Sequence, residues 1–181
     1  RGSLPGALFV DDWGVDVFSF LLVHAYGIEF SPIAQVPFQH TDLVTLDADS
    51  VFENTALLGS LDMHSVTRAD SPRVFAGQLR PERPADIYAL CGWFSTELSE
   101  GVDFGTGPND LPTHWDQILF PLPEPFAVDP SRELTITVSP LTEQVGKEQV
   151  WSWSISDGVR TISVNEQQLQ QALIDVPQGK L

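Results

Sequence analysis

From residue 42 to residue 164 the chain alternates short apolar stretches with clusters of turn-forming residues. Leu134-Thr135-Ile136-Thr137-Val138 alternates strictly, and so does Trp151-Ser152-Trp153-Ser154-Ile155. A period of two puts every second side chain on one face, which predicts half-buried antiparallel strands. Ser156-Asp157-Gly158 then predicts a hairpin turn into a strand over 159–164. Weaker alternation predicts strands over 43–46, 57–66 and 74–79, and Ala7-Leu8-Phe9-Val10 predicts one near the start. The stretch 87–98, long and rich in aromatic and small residues, is expected as one central strand, and 118–120 is expected to pair with a neighbour. The nearly continuous apolar segment 17–26 is read as helix, and Ser31-Pro32 as the start of a single helical turn. Asp47-Ala48-Asp49-Ser50 reads as a turn that leads into a short helix through Glu53, and Asn165 as the cap of a terminal helix. The expected fold class is all-β: an antiparallel β-barrel or jelly-roll-like sandwich in a single domain, 1–181, with helix confined to 17–36 and the C-terminus.

Composition narrows the partners. The chain has 25 acidic against 9 basic residues, a net charge of −16, which argues against nucleic acid as a partner and suits a cationic ligand. The acids are scattered along the whole chain, so solvation is also served. The longest apolar run, near Phe18 to Val23, is too short for a membrane span, and a soluble protein without a membrane partner is expected. A lone cysteine, Cys91, excludes an internal disulfide and any cysteine-based metal cage; it suits a cytoplasmic location. With no neighbouring cation to activate it, Cys91 is expected as a buried, inert thiol. The chain opens on Arg1 without a basic segment and apolar core of the signal-peptide type, and it reads as an excerpt from a longer protein.

One short loop concentrates the chemistry. Thr113-His114-Trp115-Asp116-Gln117 presents a hydroxyl, an imidazole and an indole between Gly105-Thr106-Gly107-Pro108 and the apolar run Ile118 to Leu122. Functional side chains gather on loops of this kind. The order of aromatic strand, Gly-Thr-Gly-Pro turn and Thr-His-Trp loop followed by a glutamine resembles the C-terminal β-barrel domain of the protein arginine methyltransferases. Tyr26-Gly27-Ile28-Glu29-Phe30-Ser31 and the stretch 46–66 extend the resemblance more weakly, so that it covers roughly residues 25 to 155. The resemblance implies a substrate-binding and dimerisation module. Its Thr113, His114 and Trp115 would complete an active site formed by a separate N-terminal methyltransferase domain. His114 would bond an acidic residue of that domain, Trp115 would wall the arginine channel and Thr113 would brace the loop. The implied substrate is an arginine-rich protein segment, and the implied homodimer forms through an arm-like segment at 17–36; an ordinary core helix is the other reading of that segment. The family's glycine-rich donor turn and paired glutamates have no counterpart here. S-adenosylmethionine is therefore expected only with the N-terminal domain, and this chain is expected to bind no cofactor and no metal and to be inactive alone.

Two other classes stand beside this reading. Trp13, Trp151 and Trp153 could line the groove of a non-catalytic β-sandwich binding module for peptide or carbohydrate, although the spacing of Trp151 and Trp153 places both indoles on one face, as in a core. His40-Thr41-Asp42 with His114 as a distal ligand has the spacing of an Fe(II)-dependent jelly-roll oxygenase. No clear strand precedes His40, and His114 is already explained together with its neighbours. His24 and His64 read as ordinary core or surface imidazoles.

Overall fold

The computed structural model describes residues 2–11 as backbone and residues 40–46, 48–52, 54–67, 74–141 and 149–168 in full. The helix expected within 17–36, Trp13, His24 and the body of the terminal helix lie outside the described residues. Strands β1 (Gly2–Asp11), β2 (Asp42–Val44), β3 (Ala56–Leu61), β4 (Phe75–Leu79), β5 (Ala85–Gly92), β6 (Ser95–Ser99), β7 (Val102–Gly105), β8 (Gln117–Val128), β9 (Leu134–Pro140), β10 (Trp151–Ser156) and β11 (Thr161–Asn165) follow in chain order. They form two antiparallel sheets. The larger runs β2-β8-β5-β1-β6-β7 with β3 also bonded to β1, and the smaller runs β11-β10-β9-β4. The all-β expectation holds.

The alternating stretches behave as their period requires. Leu134, Ile136 and Val138 of β9, Trp153 and Ile155 of β10, and Ile162 and Val164 of β11 are buried on the inner face of the smaller sheet. In β5, Ala89, Leu90 and Cys91 are all buried in succession, because this strand pairs with β1 on one edge and β8 on the other and is covered on both faces. The indole of Trp153 joins the layers, donating to the Pro121 carbonyl at 2.8 Å, while its ring and that of Trp151 pack on Phe120. The two sheets approach closely at Gly77 of β4. A Cβ there would lie 2.9 Å from the Leu57 carbonyl oxygen and from Leu58, so only glycine admits the close approach.

Several boundaries differ from the expectation. The strand expected over 57–66 stops at Leu61, because the Asp62 carboxylate accepts from His64 N–H and the Ser65 hydroxyl and folds a local turn. The single strand expected over 87–98 is two, β5 and β6, broken at Trp93-Phe94. There the Phe94 backbone bonds Thr106 rather than a sheet neighbour. The helix expected after Asp47 is a single 3-10 turn, Ala48–Ser50. Strand β7 was not expected, and β8 extends well beyond Ile118–Phe120. Ile87 and Ala89, two apart, face Phe126 and Pro121, five apart. The extra β8 residues form a bulge holding Pro123 and Pro125, which have no N–H to leave unpaired. Asn165 does cap the residues after β11, its side-chain oxygen accepting from Gln168 N–H at 3.1 Å.

Candidate functional site

The Thr-His-Trp loop leaves β7 at Gly105 and re-enters the larger sheet at Gln117. At its entrance Thr106 is almost fully buried; its N–H donates to the Phe94 carbonyl at 3.0 Å, and its hydroxyl accepts from Phe94 N–H at 3.3 Å. The Asp110 carboxylate then accepts from Gly107 N–H at 2.7 Å, curling the chain into a turn. Both glycines lie at close approaches: a Cβ on Gly105 would push the Asp110 carboxylate off its bond to Gly107, and one on Gly107 would lie 2.9 Å from Trp93 Nε1.

At the tip, the Thr113 hydroxyl bonds Trp115 twice, accepting from its N–H at 3.1 Å and donating to its carbonyl at 2.8 Å. This three-residue brace turns the two rings of the motif toward each other. The His114 and Trp115 ring centroids are 4.0 Å apart. The indole meets Phe104 edge-on at 5.3 Å and Phe94 at 6.4 Å, yet 51% of Trp115 remains exposed. A large aromatic held on one edge and open on its other surface has preorganised contact area to offer.

At the exit, the Asp116 carboxylate accepts from the Thr45 hydroxyl at 2.7 Å. Gln117 is buried, its side-chain oxygen accepting from Leu46 N–H at 2.9 Å and its amide nitrogen donating to the Thr106 carbonyl at 2.7 Å. The structure thus brings Thr113, His114 and Trp115 together. The residues that hold them, Thr106 and Gln117, were missed as site residues. The available signal was a glutamine at the head of an apolar strand, where a buried amide needs two partners.

The other candidates fall apart as sites. Trp153 is core and Trp151 is partly buried against Phe120, as their shared face implied. Among the described residues no group of His, Cys, Asp and Glu side chains could hold a metal ion, and His40 and Asp42 do not meet His114 in one. His40 instead lies 3.7 Å from Glu166, at the rim of a cleft of about 460 Å³. The buried Glu166 carboxylate accepts from Thr41 N–H and its hydroxyl, and from Trp151 N–H at 2.8 Å. No sequence pattern marked this clasp. Cys91 is fully buried, and loss of solvation pushes its thiol up to about 12. Among the described residues no helix is long and apolar enough to cross a membrane.

Comparison with known proteins gives this arrangement a context. A family model described as the arginine methyltransferase oligomerization subdomain matches residues 14–145. Protein arginine N-methyltransferase 1 of Schizosaccharomyces pombe is 30% identical over 98 residues, covering 52% of this chain and 29% of the relative. The protein of the same name from Caenorhabditis elegans is 30% identical over 113 residues, covering 61% and 32%. The chain therefore spans about a third of the length of these relatives. Among solved structures, a chain of the Trypanosoma brucei PRMT1 enzyme-prozyme heterotetrameric complex with AdoHcy superposes with a TM-score of 0.76 at 20% identity, over 91% of this chain and 56% of that one. Arabidopsis thaliana protein arginine methyltransferase 10 gives 0.65 at 13% identity, over 90% and 59%. At these identities the two structures speak for the fold alone. With the family model spanning most of its length, the chain belongs to the arginine methyltransferase oligomerization subdomain, the C-terminal barrel domain of the protein arginine methyltransferases.

Proposed function

We propose that this chain completes the active site of a methyltransferase domain by presenting Thr113, His114 and Trp115 to it, and that the joint site methylates arginine in an arginine-rich protein segment. The observation that carries the reading is the exposure of Trp115 on a loop whose mouth is fastened by buried hydrogen bonds. A loop built only for packing would bury its indole. The methyl group comes from S-adenosylmethionine bound by the other domain. Arginine stays charged at neutral pH, so the site must orient the guanidinium and offset its charge. Trp115 can do the first by giving the planar group a wall, with a cation–π contribution. His114 can hydrogen-bond a carboxylate of the other domain and hold it in place. Glu97 and Asp103 lie directly opposite each other on β6 and β7, a like-charge pair that disfavours folding and favours a cationic visitor.

The test is peptide methylation by the two domains together. His114→Ala and Trp115→Ala are expected each to lower kcat/KM by about 10–100-fold, the scale of a lost orienting contact. Unchanged methylation by both variants would remove the reading. Titration of this chain alone with S-adenosylmethionine is expected to give no heat of binding, whereas micromolar affinity would contradict the assignment of the donor to the other domain.

The same reading includes self-association through 17–36, supported by the description of the matched family and by the heterotetramer in which a structural neighbour was solved. Sedimentation is expected to show Phe20→Glu with Leu22→Glu shifting the chain toward monomer; an unchanged sedimentation coefficient would place the interface elsewhere. A cytoplasmic location accords with the reduced, deeply buried Cys91.

A further inference from the structure

We infer that Gln117 is the positioning residue of the Thr113–Trp115 loop, a clamp whose amide sets the angle at which the aromatic pair is presented. The inference rests on the proposed role of the loop. Three polar residues are buried among the described residues, Thr106, Gln117 and Glu166, and two of them stand at the two ends of this loop. Gln117 bonds across its mouth: its Nε2 reaches the carbonyl of Thr106, eleven positions earlier, so entrance and exit are tied by one side chain. The other end of the same amide accepts from Leu46 N–H, 71 positions earlier, just beyond β2. Asp116 doubles this second tie through the Thr45 hydroxyl.

The loop mouth is thus held to a third segment of chain and not merely to itself. Packing alone would be served by a methionine or leucine, which have no desolvation cost. An amide with both ends matched to main-chain groups resists sliding, because each displacement leaves a buried donor or acceptor without a partner. Beyond its own loop, whose Thr113 hydroxyl and His114 ring move with it, Trp115 meets the rings of Phe94 and Phe104 edge-on, a contact that tolerates rotation. The fixed reference for the indole is therefore the mouth, and Gln117 defines it.

Gln117→Met keeps length and volume but deletes both hydrogen bonds. Fluorine NMR of the chain labelled with 5-fluorotryptophan, with the Trp115 signal assigned through Trp115→Phe, reads the loop directly. The expected result is a Trp115 resonance that broadens or splits while the Trp153 resonance keeps its position. If Gln117→Met does not fold, Gln117→Glu retains the acceptor for Leu46 and loses the donor to Thr106, and the same Trp115 change is expected. With the methyltransferase domain present, the variant is expected to lower kcat/KM for peptide at least 10-fold with KM for S-adenosylmethionine unchanged. A single, unshifted Trp115 resonance in the variant overturns the inference, as does wild-type methylation by a variant whose Trp115 signal has split. If His114→Ala and Trp115→Ala themselves leave methylation intact, the role of the loop fails, while the fluorine spectrum still decides the clamp.

Discussion

Two tryptophans of this chain differ in what surrounds them, and the difference is measurable. Trp153 is 2% exposed with its N–H bonded to Pro121, so Trp153→Ala is expected to cost about 3–5 kcal/mol. Trp115 is half exposed and on truncation loses its edge contacts with Phe94 and Phe104 and the exposed ring contact with His114, so Trp115→Ala is expected to cost about 1 kcal/mol. Urea unfolding of the two variants checks this; equal losses would make the loop a packing element. Trp93 falls within the stretch 87–98 expected as one central strand, yet it lies only partly buried at the break between β5 and β6. A strand interrupted by a non-local bond to Thr106 is invisible to alternation. Cys91 behaved as read, because an apolar neighbourhood is written in the adjacent residues: with its thiol pushed up to about 12 by burial, it is expected to resist an aromatic disulfide reagent at pH 8 until the chain unfolds. Fast labelling of the native chain would contradict its placement.

Among the elements, the hairpin between β10 and β11 was the most legible, although its second strand begins at Thr161 and not at the expected Val159. Its alternation and its Asp-Gly turn are local signals, and Gly158 adopts the positive φ of 82° that such a turn demands. Asp157 organises it, accepting from Arg160 N–H at 2.7 Å, the Arg132 guanidinium at 2.6 Å and Val159 N–H at 2.9 Å. These bonds, in that order, lower its carboxyl to about 2. A carboxyl depressed in the folded state stabilises fully above its unfolded value of about 4 and loses that contribution as pH falls toward the folded value. Asp157→Asn is therefore expected to flatten the loss of stability between about pH 4 and pH 2, read from urea midpoints. A slope equal to wild type would show the hairpin to be indifferent to this charge. Strand β8 runs far past the expected 118–120, and two of its prolines, Pro123 and Pro125, sit in the bulge opposite β5, where no N–H is asked for.

At the scale of the molecule, polar ties among the described residues join segments distant in the chain. Glu166 holds Thr41, 125 positions earlier, and Trp151; Glu166→Ala strands two backbone donors and is expected to cost about 2–4 kcal/mol, with Glu166→Gln recovering part. An unchanged melting transition in Glu166→Ala would show that water replaces the clasp. Such ties leave no local mark in the residues. The all-β class, most strand positions, the turn at Gly158 and the identity of the Thr-His-Trp loop are legible in the residues alone, since period, turn chemistry and a short motif are all properties of neighbouring residues. That Trp93 is only partly buried, where β5 ends, and that Gln117 and Thr106 close the mouth of the loop emerge only on folding. Each of those outcomes depends on a partner brought close by folding, and hydrogen bonds between main chain and a buried side chain carry no period along the sequence.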